Sequence, residues 1–426
     1  MESLPTVLLR PGEADRLLAG HPWIYHGSLL RAAADIDDGA LVQVKDHRQR
    51  LIGVGFWNSK SKIRVRLLSR ERIQIGPEFF RERIRAAHAF RQKHLPQATS
   101  FRLINSESDL LSGLIVDKYE DVLVIQLSAL GMDQRKSQIV QVLQELFTPR
   151  AIIERSDVAS RKFEGLTESN SVLAGQLDSP VPVRLNGLTF QTDLSAGHKT
   201  GMYLDQQVNY RLVADLIGRA ALAPTQVGAP FYVLDCFSFA GGFALHCAAA
   251  MKGQSGALGT ARPTSGQVHA IDQSQQAIDQ AKHNAAVNGL SESCTFEAAN
   301  VFDWLKAQTT ARPHEKIIPR YDLIILDPPS FTRNRASVPD ALRGYKEIHL
   351  RALKLLRPGG TLATFCCSHH VDANLFQDVI LAAAYDAHRV LRRVATYTQS
   401  PDHPVLPSIP ETEYLKGFAF ETVQNY

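Results

Sequence analysis

The stretch Tyr321–Phe331, YDLIILDPPSF, decides how this chain is read. A run of apolar residues leads to Asp327 and then to two prolines. Proline lacks an N–H and restricts the residue before it, so the pair ends a strand and stiffens the backbone beyond it. In an open α/β sheet, ligands sit at the carboxyl ends of the strands. The motif therefore predicts a carboxylate and a rigid wall facing a binding crevice.

Working outward, residues from about 190 alternate between strand and helix patterns. The strands read FYVLDCF, GQVHAID, CTFEAAN, YDLIILD and TLATFCC. Helical or loop segments separate them, which predicts a doubly wound, mostly parallel α/β sheet. HRVLRRVATYTQ and EYLKGFAFETV add two further strands, read as antiparallel. Gly/Ser/Pro-rich stretches at 251–267 and 308–319 read as mobile surface loops.

Upstream, residues 1–70 alternate apolar and polar positions between turns, as in LVQVKD and KIRVRLLS, and predict a small β-rich module. PEFFRERIRAAHAFRQKH reads as one amphipathic helix opened by Pro77. Residues 100–190 predict a small α+β unit. It contains the strand–turn–strand SGLIVDKYEDVLVIQLS, the helix MDQRKSQIVQVLQELF, the strand RAIIERSD and a hairpin turning at Asn186-Gly187. The resulting organisation is 1–72, 73–188 and 189–426.

Bulk properties narrow the class. At 426 residues the chain exceeds one ordinary core. The longest apolar runs fall well short of the roughly 20 residues that span a bilayer, and the N-terminus lacks a signal-peptide pattern. Five scattered cysteines do not suggest a disulfide framework. The expectation is a cytoplasmic protein with reduced thiols and no membrane partner. Net charge is +4, and the excess is concentrated in residues 1–95, in KDHRQR, SKSKIRVRLLSRER and RERIRAAHAFRQK. Three basic runs in one segment, Lys60, Lys62 and Arg64 among them, suit a polyanion as well as a solvated face.

Several residues carry candidate chemistry. VLDCFSFAGGF (233–243) is a strand, a turn with Gly241-Gly242 and a helix start, where backbone N–H groups can meet a ligand. Its glycine spacing is not that of a dinucleotide fold. Asp272 ends the second strand, where a carboxylate can hold ribose hydroxyls or cap a helix. Asn300 ends the third and suits an adenine edge or, equally, a helix cap.

Taken together, LDCFSFAGGF, IDQSQQAIDQAKHNAAVNG, LDPPSF, RGYKEIHLRALKLLRPGG, FCCS and DHPV…ETEYLKGF resemble the RlmI-type class I methyltransferases of large-subunit ribosomal RNA. GHKTGMYLDQQ resembles that family's lead-in, and LLRPGEADRLLAGHPWIYHGSL resembles its PUA module. The resemblance covers nearly the whole chain. It implies a C-terminal Rossmann-like methyltransferase domain, an N-terminal PUA-like RNA-binding domain and a small central α+β domain. It also implies S-adenosylmethionine as cofactor, ribosomal RNA as partner and cytosine C5 as the methylated atom. Modules of this kind can pair, which leaves a homodimer open.

C5 methylation needs a thiolate added at cytosine C6. The residue after the Pro-Pro pair is Ser330, so the thiol must come from elsewhere. FCCS supplies Cys366 and Cys367. Strand alternation points them to opposite sides, and the family's Ser-Cys-Ser pattern selects Cys367 as nucleophile, leaving Cys366 to packing. Asp327 is then the residue expected at the cytosine edge. The resemblance further suggests Phe237, Ser238, Gly241, Gly242, Asp272, Asn300, Asp327, Lys199 and Asp205 around the cofactor. Phe331, Arg333 and Arg335 are candidates for RNA contact, and His369 or His370 for proton removal. The cysteines and histidines at 366–370 are too tightly spaced for an ordinary tetrahedral metal site. Two other readings stand: exocyclic-amine methylation of a guanine or adenine, and an RNA-binding protein without catalysis.

Overall fold

The computed structural model describes residues 4–194, 201–220, 230–253, 265–310, 317–332 and 334–423. The chain divides into two compact units. The first comprises Met1–Arg184, Thr192–Asp205 and Pro401–Thr412; the second comprises Leu185–Gln191, Gln206–Ser400 and Glu413–Tyr426.

The first unit opens with a six-stranded sheet. Strands Thr6–Leu9, Trp23–Tyr25, Leu29–Ala32, Leu41–Lys45, Leu51–Trp57 and Ile63–Ser69 pair antiparallel, except that Thr6–Leu9 and Leu41–Lys45 run parallel. Alternating apolar residues such as Val42, Val44, Ile24 and Val65 face inward, as the period-two pattern requires. Helix Pro77–His94 follows, with proline in its first turn, where the missing N–H costs no hydrogen bond.

Helix Pro77–His94 packs Phe79, Phe80 and Ile84 against a five-stranded sheet built on Leu114–Tyr119, Val122–Leu127 and Ala151–Arg155. Two edge strands of that sheet, Phe101–Asn105 and Asn170–Gly175, were not expected from the sequence. The expected helix 132–147 is instead two helices, Leu130–Asp133 and Lys136–Phe147. Between them Arg135 leaves helical geometry, and its guanidinium donates to Gly39 O and Gly131 O. Hairpin strands Val181–Leu185 and Leu188–Thr192 turn at Asn186 and Gly187, both with positive φ (51° and 89°). That is the combination a two-residue hairpin loop favours.

The second unit is built on seven strands: β1 (Phe231–Cys236), β2 (Gly266–Asp272), β3 (Cys294–Ala298), β4 (Tyr321–Leu326), β5 (Leu356–Cys366), β6 (Leu391–Thr398) and β7 (Lys416–Thr422). Their order is β3-β2-β1-β4-β5-β7-β6. The first five are parallel, and β7 and β6 close the edge antiparallel. Helices α1 (Gln207–Ala220), α2 (Gly242–Met251), α3 (Gln275–Val287), α4 (Val301–Thr309), α5 (Val338–Leu355) and α6 (Ala373–Asp386) belong to this unit. The strand reversal between β1 and β4 puts their carboxyl ends at the switch point, the place where such sheets bind ligands. Strand β4 is buried along its whole length, consistent with its apolar run. Of the two stretches read as loops, 254–264 and 311–316 lie outside the described residues, while Gly266 and Gln267 already belong to β2.

Candidate active site

The β1–α2 turn forms one wall. Phe237 and Phe239 both adopt positive φ (65° and 47°), and Gly241 follows at 88°. Two non-glycine residues in this sparsely allowed region make it a tightly determined turn. Ser238 N donates to Ile271 O (3.0 Å) and Phe239 N to Asp272 Oδ2 (2.9 Å), which ties the turn to the end of β2. Asp272 Oδ1 accepts from Ser274 N at 2.9 Å. Gly242 is required by packing, since a Cβ there would meet the Tyr210 ring at 2.5 Å.

Asn300 caps α4: its Oδ1 accepts from Phe302 N and Asp303 N, at 3.0 and 3.3 Å. Ala299 N donates to Asp272 O, so the ends of β2 and β3 lie together. Phe237 sits edge-on to Phe302, centroids 6.4 Å apart.

Beneath the turn lies Asp235, fully buried. Its Oδ2 accepts from Ala244 N at 2.9 Å, while Oδ1 finds no partner among the described residues. Burial pushes its pKa well above the ordinary carboxyl range, and repulsion from Asp327 and Asp272 adds to the effect. The buried Ser238 hydroxyl is likewise without a partner among the described residues.

Asp327 sits just past β4, and its N–H reaches Cys236 O at 3.4 Å. Its Oδ1 accepts from Gln206 Nε2 (3.2 Å). Gln206 is held in turn by Asn209, whose Nδ2 donates to Gln206 Oε1 (2.7 Å) and to Thr398 O (2.9 Å). Neither amide was expected from the sequence. Their sequence signal is slight: Gln206 is the first glutamine of the lead-in's DQQ, and Asn209 follows three residues later in α1.

Strand β5 pairs Thr364 with Leu326 of β4, so the residues after both strands emerge side by side. Cys366 is fully buried, and its thiol donates to the Tyr345 hydroxyl (3.3 Å). Cys367 is partly exposed, whereas Cys236, Cys247, Cys294 and Cys366 are buried. Burial also raises the pKa of Cys236 and Cys247 well above the thiol range and that of Cys294 to about 12, so these three are not nucleophiles.

Ser368 is buried and shares hydrogen bonds with Tyr345 Oη (3.1 Å) and Ser330 Oγ (2.9 Å). Ser330 also donates to Thr332 O at 3.0 Å. A hydroxyl clamp from α5 therefore joins the DPPS loop to the CCS loop.

Phe331 lies against Tyr345 and Phe302, at centroid distances of 4.7 and 5.7 Å, so its ring is engaged in the aromatic cluster under the loop. Arg335 opens an exposed 3-10 turn, Arg335–Ser337. His369 and His370 are exposed, with His369 5.8 Å from the Tyr414 ring. Lys199 and Arg333 lie outside the described residues. Asp205 lies in the 3-10 turn Leu204–Gln206. Lys60 and Lys62 are exposed on the turn between two strands of the first unit, where Arg64 donates to His26 Nδ1 (3.3 Å). No cluster of three metal-ligating side chains occurs among the described residues. No described helix is long and apolar enough to cross a membrane.

The crevice thus brings Asp272 and Asp327 together over the buried Asp235, around a strained turn whose Asp235 and Ser238 oxygens have no partner among the described residues. That donor set fits a cationic ligand with a ribose, which is what S-adenosylmethionine presents. Asp272 keeps one lone pair on each oxygen, which suits a ribose diol, and the carboxylates of Asp272 and Asp327 suit a positive charge between them.

Comparison with known proteins agrees. Residues 7–70 match the model of a PUA-like domain, and residues 167–410 match that of S-adenosylmethionine-dependent methyltransferases. Ribosomal RNA large subunit methyltransferase I of Klebsiella pneumoniae subsp. pneumoniae is 36% identical over 97% of this chain and 98% of its own length. The Shewanella amazonensis protein of that name is 37% identical over 96% and 98%. The crystal structure of SMU.776, described as a methyltransferase and complexed with SAH, shares the fold. Its TM-score is 0.76 at 18% identity, covering 98% of this chain and 99% of that one. The chain belongs to the S-adenosylmethionine-dependent methyltransferase family, within the group named ribosomal RNA large subunit methyltransferase I, and pairs that domain with a PUA-like one.

Proposed function

We propose that this enzyme methylates C5 of a cytosine in large-subunit ribosomal RNA through a covalent adduct with Cys367. The observation that carries the reading is the partial exposure of one thiol, Cys367, just past β5, the strand that pairs with β4 ahead of Asp327, while the other four are buried. The names of the relatives supply the substrate class.

When bound, S-adenosylmethionine supplies an electrophilic methyl group. Cytosine C5 is too weak a nucleophile to accept it unaided. The Cys367 thiolate adds to C6, forming the S–C6 bond and moving the C5=C6 electron pair toward C5. Asp327, steadied by Gln206 and Asn209, accepts a hydrogen bond from the exocyclic amino edge of the base and holds the ring over the thiol. Once C5 carries its methyl group, a base removes the C5 proton. That electron pair restores C5=C6, and the S–C6 bond breaks to return the thiolate. The exposed His369 or His370 is a candidate for the base. C6 must be reached from the face of the ring, so the target nucleotide is single-stranded or flipped out. Lys60, Lys62 and Arg64 contact RNA phosphates in this reading.

The test compares ribosomal RNA from cells with and without the protein, digested to nucleosides and read by mass spectrometry. Loss of 5-methylcytidine, restored by wild type and not by Cys367→Ala, is the expected outcome. If 5-methylcytidine is unchanged and a methylated purine disappears, the enzyme is an exocyclic-amine methyltransferase.

A further inference from the structure

The segment ETEYLKGF (411–418) contains Lys416, to which the reading above gives no role. Lys416 opens β7 and stands directly opposite Cys366 on β5. Its side chain runs past the end of β5, and Nζ donates to Ser368 O at 2.6 Å and to Tyr414 O at 3.0 Å. Ser368 is the residue after Cys367. The lysine therefore anchors the main chain at the carboxyl side of the thiol, while the Tyr345–Ser368–Ser330 clamp holds the adjoining side chains.

Lys416 is half-buried, and burial is the larger influence on its pKa, which it lowers. Cys366, Cys367, Asp372 and Glu413 oppose that, so the lysine and the Cys367 sulfur lie within electrostatic reach of each other. Both hydrogen-bond acceptors are neutral carbonyls. Among the described residues Asp372 and Glu413 face the ammonium without forming an ion pair, and Asp372 is engaged in capping α6 through Leu375 N. Described groups near this loop include the Tyr345 hydroxyl from α5, the Cys366 thiol from β5, His369 against Tyr414, and Asp327 past the neighbouring strand β4. A carboxylate at Asp327, past the end of the neighbouring strand β4, opposes ionisation of a thiol. Among the described residues, Lys416 is the cation that hydrogen bonds hold at this loop.

We propose that Lys416 is a positioning residue that fixes the Cys367 loop and stabilises the Cys367 thiolate through its ammonium charge. The thiol proton leaves to solvent, so the sulfur gains one negative charge opposite a cation already in place, and no proton passes through Lys416. A cation near a thiol is a general means of raising the thiolate fraction at neutral pH. The inference deepens the reading of Cys367 as nucleophile, but its test does not depend on that reading.

The four other thiols are buried, so iodoacetamide reports on Cys367 in the intact protein. The alkylation rate of Cys367 is followed against pH by peptide mass spectrometry in wild type, Lys416→Met and Lys416→Arg. Wild type is expected to titrate below the ordinary thiol value of about 8.5. Lys416→Met should move the midpoint up by roughly one pH unit or more, with Lys416→Arg recovering much of the difference. Methyl transfer by Lys416→Met should fall about ten-fold near pH 7 and recover as the pH rises. Equal midpoints in wild type and a folded Lys416→Met, with S-adenosylmethionine binding retained, overturn the proposal. Should Lys416→Met not fold, a wild-type midpoint at or above the ordinary thiol value overturns it as well. Full methyl transfer by Cys367→Ala would instead sink the nucleophile reading, leaving the alkylation profile to decide on Lys416.

Discussion

Removing the Tyr345 hydroxyl tests whether the clamp between the two loops is a single cooperative element. Tyr345 is fully buried, and its hydroxyl meets Cys366 Sγ at 3.3 Å and Ser368 Oγ at 3.1 Å. Tyr345→Phe leaves no charged group stranded, and Ser368 keeps Ser330 as a partner at 2.9 Å. A net loss of about 1 kcal/mol is therefore expected. Ser368→Ala removes the same Tyr345 bond together with the Ser330 bond, for about 1–2 kcal/mol. For a domain of this size, each kcal/mol lowers the melting temperature by roughly 2–4 °C. Because both variants delete one shared bond, the double variant should be less destabilised than the sum by about 0.5–1 kcal/mol. Thermal and denaturant unfolding of the four proteins gives that coupling. Cys367 lies between the clamped residues Cys366 and Ser368, so both single variants should also lose turnover about ten-fold, with little change in S-adenosylmethionine affinity. Strict additivity, or full turnover in both single variants, would refute the clamp.

Asp272→Ala should weaken S-adenosylmethionine binding roughly 10–100-fold in calorimetry, because charge-assisted bonds to a ribose are lost along with the carboxylate that holds Phe239 N. Asp235 has a folded-state pKa above its unfolded value. The folded protein thus holds a proton that the unfolded chain releases, and stability falls as pH rises from the ordinary carboxyl range toward that raised value. Asp235→Asn should flatten this slope in ligand-free melts taken across that range; an unchanged slope would count against a neutral Asp235. Lys60→Ala and Lys62→Ala should each reduce the salt dependence of RNA binding, by roughly 0.7–0.9 in the log–log slope, across unrelated RNA sequences. Arg91→Ala should destabilise the first unit by about 3 kcal/mol, since it removes the cation whose two terminal nitrogens donate to the largely buried Asp109 carboxylate and leaves that charge only the Asn105 N–H among the described residues. Unfolding of that unit measures the effect.

The parallel core was legible in the sequence because each of its features is local. An apolar run such as YDLIIL, ended by prolines, makes a buried strand whatever surrounds it, and the Asn186-Gly187 turn selects its own hairpin geometry. The same locality placed Asp272, Asp327 and Cys367 at strand ends. The edge strands Phe101–Asn105 and Asn170–Gly175 pair with their sequence neighbours and escaped notice because such short segments, Asn170–Gly175 largely exposed, carry little period-two apolar signal. The break at Arg135 escaped because Gly39, which receives its guanidinium, is far away in sequence.

What the sequence alone determined was the order of the elements and the identity of the chemical groups at their ends. Tertiary structure decided which of those groups meet. Asn209 reaches Thr398 and Gln206, Gln206 reaches Asp327, and Tyr345 reaches Ser368. Lys416, from the last strand, arrives beside Cys367 through antiparallel pairing with β5. Phe331 is a candidate for RNA contact in the sequence, and the fold packs its ring on Tyr345 and Phe302. The two adjacent cysteines look alike in sequence. One meets a buried tyrosine and the other stays partly exposed, because strand alternation turns them to opposite sides and packing then covers only one of them.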